Sequence, residues 1–171
     1  MADHIFGVQM LAIAMYYQFN YQFDIMKVVF MIAIHELEEI ETGDLTFFEA
    51  DREEKKKMGI EAVNTVLKDF ANKETILSLI NEYNERATEE ARFAYHCDKL
   101  ECDLQIKLYD QEGCFDMNNQ NNNPAMQIEE VQNLVKKEKT FSNAWTEFNR
   151  SKYEDDKNFI DIVNYLKENK I

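Results

Sequence analysis

The sequence predicts an all-α fold, and three observations predict it. Four glycines and one proline in 171 residues leave little material for tight turns. The strong helix formers Leu, Lys, Glu, Met and Ala are abundant. Apolar residues also recur at helical spacing in successive segments that begin at capping residues. With 45% hydrophobic content, the length suits one domain spanning 1–171 with a sizeable core and about six to eight helices. No internal repeat is visible.

The first helix is expected to begin almost at the start, with Asp3 as N-cap and the run IFGVQMLAIAMYYQF buried around much of its girth. Asp24 caps a second helix carrying Met26, Val28, Val29, Phe30, Met31 and Ile34 on to Ile40. It ends at Thr42-Gly43-Asp44, with His35 in its last two turns. A third helix covers Phe48 to Phe70, and its charged run Asp51 to Lys57 reads as a solvated face. Ile76, Leu77, Leu79, Ile80 and Tyr83 mark a fourth. Thr88-Glu89-Glu90 opens a fifth that runs through Phe93, Asp98, Leu100, Leu104, Ile106 and Leu108.

Between Gly113 and Pro124, the tract from Asp116 to Pro124 is rich in Asn with almost no apolar content, so it is an exposed connector. Helical spacing returns at Ile128 to Val135 and Asp156 to Leu166. Phe141, Trp145, Phe148 and Tyr153 are placed to close the core from the C-terminal side.

Thirty-three acidic against 19 basic residues give a net charge of -14, which opposes attraction to nucleic acid polymers and anionic membranes. A small anionic substrate would need a local exception, which a bound divalent cation with nearby lysines supplies. The apolar stretch from Val28 to Ile34 is too short to cross a bilayer. Cys97, Cys102 and Cys114 are odd in number and follow no secretory signal, so a reducing cytoplasm is the expected compartment. His96, Cys97 and Cys102 lack a second matched ligand pair and read as packing residues. Glu38 and Glu41 are assigned to the solvated side, and Tyr95 and Tyr109 to the core.

The chemistry concentrates in Ile34-His35-Glu36-Leu37-Glu38-Glu39-Ile40-Glu41-Thr42-Gly43-Asp44. On a helix of about 3.6 residues per turn, His35, Glu36 and Glu39 lie at roughly 0°, 100° and 40° and share one face. An imidazole and a carboxylate suit a transition metal, and a further acid can take a proton from water. Two other segments stand at a distance: Ala2-Asp3-His4, and Cys97-Asp98-Lys99-Leu100-Glu101.

With these three pieces in order, the chain resembles the HD-domain metal-dependent phosphohydrolases over residues 2 to 112, in particular the 5′-deoxynucleotidase-like branch. That branch shows an Ala-Asp/Glu-His opening, a His-Asp dyad with a following Glu and a Thr-Gly-Asp turn, and a later Asp-Lys-Leu-Glu. The resemblance implies an HD-type helical bundle completed by helices in 127–171. It implies one divalent metal ion (Mn, Co, Fe, Ni, Zn or Mg) on His4, His35, Glu36 and Asp98. It further implies Glu39 as catalytic acid and Asp44 as substrate-binding residue.

The implied activity is hydrolysis of a small phosphomonoester, a (deoxy)nucleoside 5′-monophosphate, with Lys99, Arg92 or Lys55 to Lys57 available to offset substrate charge. Two departures stand out. The dyad is His35-Glu36 where the family has His-Asp, so an added methylene must be absorbed by the helix or the metal. His4 also lies where the family carries a preceding helix with basic and aromatic substrate-selecting residues, which reads as a truncated frame or a more open pocket. Apolar helix surface left exposed there would favour a homodimer. The alternative function is a degenerate HD module that binds a nucleotide or partner without turnover.

Overall fold

A computed structural model describes residues 2–43, 52–120, 122–138 and 140–171. Among these residues the structure is helical throughout, with no strand. Its eight longer helices are α1 (Ala2–Phe19), α2 (Ile25–Ile34), α4 (Arg52–Val66), α5 (Lys73–Glu85), α6 (Glu89–Gln111), α7 (Glu129–Glu138), α8 (Phe141–Asn149) and α9 (Lys157–Glu168). A four-residue α3 (Glu39–Thr42) follows α2. Two compact units, 1–97 and 98–171, divide the chain, and the division falls inside the unbroken α6.

In the first unit, Asp24 caps α2 by accepting from the backbone N–H groups of Met26 and Lys27. Asp3 instead lies within the first turn of α1, where its charge still complements the helix dipole. Of α1, only Val8, Ala12 and Met15 are buried, while Phe6, Met10 and Tyr17 are exposed. The expectation of burial around its girth is therefore corrected: α1 packs along one stripe against α2, with the Gln9 Nε2 group donating to the Val29 carbonyl at 3.0 Å.

A second correction concerns the end of α2. The helix stops at Ile34, residues 35–38 form a tight turn, and α3 begins at Glu39. The N–H of Leu37 reaches the Ile34 carbonyl and that of Glu39 reaches Glu36, i to i−3 bonds that overwind the chain relative to an α-helix. Burial of Ile34 against Val63, Leu67 and Ile80, with Leu37 beside them, accompanies this tightening. Gly43, at φ 67°, ends α3 as expected, in a backbone region that a side chain disfavours.

α4 and α5 complete the first unit with the front half of α6. Gly59 lies inside α4, where a glycine costs helix stability, and a Cβ there would meet only the Glu38 side chain at 3.7–3.9 Å, ordinary contact. Gly59→Ala is therefore expected to stabilise the protein by about 0.5–1 kcal/mol, read as an upward shift of the urea midpoint without change of slope. The C-cap of α5 is Arg86 at φ 52°, ψ 40°, a left-handed conformation that favours glycine. Arg86→Gly should raise stability by about 1 kcal/mol in the same measurement.

Lys27, Glu82 and Thr88 tie α2, α5 and the start of α6. The Lys27 ammonium lies 2.6 Å from Glu82, whose carboxylate also accepts from the Thr88 hydroxyl. Burial pushes the Glu82 carboxyl up, but these two donors outweigh it and hold its pKa below the usual range. Thr88 in turn accepts from the Ala91 N–H, the capping bond expected at Thr88-Glu89-Glu90.

In the second unit, Asn123 caps a short 3-10 turn (Pro124–Gln127) after the Asn-rich connector, and Asp156 caps α9. Phe141, Val131, Val163 and Leu166 are buried, and Tyr153 stacks on Phe159 at 5.9 Å. Trp145 and Phe148 are half-buried, and Tyr109 is largely exposed rather than in the core. The buried carboxylate of Asp103 accepts from the Asn149 Nδ2 group and the Tyr153 hydroxyl, each at 2.7 Å. Burial nevertheless pushes its pKa up to about 6, with the two hydrogen bonds acting the other way. Among the described residues, no helix is long and apolar enough to cross a membrane.

Candidate metal centre

His35 occupies the C-cap of α2, where the helix gives way to the tight turn, and it is buried. Its Nδ1 lies 2.7 Å from the Ile32 carbonyl oxygen. A carbonyl only accepts, so Nδ1 carries a proton and Nε2 is the ring atom left to face a cation. This backbone bond also fixes the ring's orientation, as is usual for a metal-ligating histidine. Tyr83 packs on the imidazole with ring centroids 5.0 Å apart.

Glu36 opens the turn, with Oε1 3.7 Å from His35 Nε2 and 3.6 Å from His4 Nε2. His4 projects from the first turn of α1, and its ring centroid lies 6.3 Å from that of His35. Asp98 continues α6 one residue past Cys97, buried to 4% exposure, with the Lys99 ammonium 2.7 Å from its Oδ2. One ligand atom each from His4, His35, Glu36 and Asp98 lies within 4.8 Å of the others.

A cation bonded at 2.0–2.2 Å to four tetrahedral ligands separates them by about 3.4 Å, close to the His–Glu distances here. The donor set, two imidazoles and two carboxylates, neutralises a divalent ion and suits a borderline metal. Glu36 Oε2 is buried without a hydrogen-bond partner among the described residues, a costly arrangement for a carboxylate unless a cation meets it. The residues fit a divalent metal ion.

The sequence-predicted ligands His4, His35, Glu36 and Asp98 are thus brought together. Glu39 does not join them; it starts α3 and is half-buried. Asp44 lies outside the described residues. Glu38, expected on the solvated side, is half-buried and lines a cleft against α4 and α5, because the tight turn rotates it inward. Tyr83 was legible only as an apolar position of α5; its contact with His35 has no signature in spacing. Cys97 is fully buried and His96 nearly so, as expected of packing residues. Burial pushes the Cys102 thiol up to about 12.

The described residues are all-helical and carry a His, His-acid and Asp cluster of the kind that can hold a metal ion. The HD-domain family profile matches residues 1–123, and the chain belongs to that family, a superfamily of metal-dependent phosphohydrolases. Searches of curated proteins and of solved structures return no match.

Proposed function

We propose that this chain hydrolyses a small phosphomonoester, with (deoxy)nucleoside 5′-monophosphates as the substrate class. The observation that carries this reading is the convergence of His4, His35, Glu36 and Asp98 with a buried, unsatisfied Glu36 Oε2. A divalent cation held there would supply Lewis acidity for the phosphoryl oxygens and for the attacking water. The Ile32 carbonyl fixes the His35 ring, so His35 would hold such a cation through Nε2 with little reorganisation.

The family resemblance would give proton transfer with the attacking water and the leaving oxygen to Glu39, which begins α3 outside the four-residue cluster. Lys99 pairs with Asp98 and is a cation available to offset substrate charge. The glutamate in the dyad is compatible with ligation, since the carboxylate of Glu36 already reaches both imidazoles.

Protein purified without chelator should contain near-stoichiometric metal and release phosphate from nucleoside 5′-monophosphates when Mn or Co is added. Absence of both metal and turnover would overturn the reading. Glu36→Gln, which keeps shape and removes charge, is expected to weaken metal binding at least tenfold, about 1.4 kcal/mol. Glu36→Asp should retain the metal. If Glu36→Asp turns over substrate and the native chain does not, the chain is a binding module with an inactive dyad.

A further inference from the structure

A cleft of about 570 Å³ opens in the first unit between α4 and α5, and it shares no residue with the metal cluster. Its size falls in the range of small-molecule sites. The floor is apolar, from Val63, Leu77 and Ile80. The carboxamides of Asn64, Asn81 and Asn84 supply donors and acceptors around it.

Lys56 and Arg86 contribute two cations and Glu38 and Glu85 two acids, so the cleft is electrically balanced in a chain of net charge -14. Lys56 stands 4.0 Å from Glu85. The Arg86 guanidinium lies 3.8 Å over the Tyr95 ring centroid, which holds the long side chain in one place and leaves its N–H edge available. The same residue takes a left-handed backbone conformation at a position where glycine would be less strained. The backbone of Arg86 thus caps α5 while its guanidinium is held beside the cleft.

We propose that this cleft is a second site, for a nucleoside phosphate. The base lies over the apolar floor with its polar edge toward the asparagine amides. Arg86 with Lys56 meets the phosphate. The proposal does not depend on turnover at the metal cluster.

The test is titration calorimetry on full-length protein stripped of metal with EDTA and dialysed, which removes hydrolysis. Adenosine, guanosine, cytidine and uridine 5′-monophosphates are titrated separately, with adenosine and inorganic phosphate as controls. At least one nucleotide should saturate a single site, with both controls at least tenfold weaker. Arg86→Gly, which relieves the backbone, should weaken that binding at least tenfold. Gly59→Leu, which fills the cleft from α4, should do the same, and His35→Ala should leave it unchanged. Melting curves verify that each variant is folded. The proposal is overturned if no nucleotide saturates, if phosphate alone binds as well, if Arg86→Gly and Gly59→Leu both retain binding, or if His35→Ala removes it.

Discussion

His35→Ala is expected to empty the metal centre, taking bound metal from near one equivalent to less than a tenth and phosphate release down by at least about a hundredfold. His35 is held between the Ile32 carbonyl and the Tyr83 ring and is almost fully buried. Alanine removes the ligand and also leaves a void against Tyr83, so some stability falls with it. His35→Gln separates the two effects, because it fills much of the space with a poor ligand. Elemental analysis beside a melting curve decides: if metal content is unchanged in a folded His35→Gln protein, the imidazole is a packing group.

The second large effect is a pH dependence of stability set by Asp103. Its folded-state pKa is raised from 3.8 to about 6. The folded protein therefore holds this proton more tightly than the unfolded chain, and the group's contribution is fully present below about pH 4. It is lost as pH rises toward 6 and constant above that. A shift of this size corresponds to about 3 kcal/mol. Asp103→Asn removes the titration while keeping an acceptor for Asn149 and a polar partner for Tyr153.

Other carboxylates change stability over the same range, so the informative quantity is the native-minus-variant difference in urea unfolding free energy at pH 4 and pH 7. The native protein should lose ground to Asp103→Asn as pH rises. A difference that stays flat or moves the other way removes Asp103 as the source.

The helical segments were legible because each carries its own period and its own cap: Asp24, Thr88 and Asp156 stand where capping chemistry requires them. The end of α2 was not, since no residue between Ile34 and Ile40 is a helix breaker and a local pattern of carboxylates continues without interruption. Packing of Ile34 and Leu37 against α4 and α5 accompanies the tight turn there, and that packing partner is some thirty to forty residues away in sequence. The consequence reaches the site: Glu38 turns into a cleft, and Glu39 starts a new helix instead of sharing a face with His35.

By itself, then, the sequence determined the fold class, through scarce glycine and proline and apolar residues at helical spacing, and the family, through the order and chemistry of His4, His35, Glu36 and Asp98. Ligating side chains are few, and their types cannot be exchanged without losing the metal. Only the tertiary structure decided that Tyr83 seats His35, that Asp103 is buried among Asn149 and Tyr153, and that Arg86 is pinned over Tyr95 beside a cleft. Burial and ring contacts depend on which helix faces meet, and that is set by the packing of whole segments rather than by the spacing within any one of them.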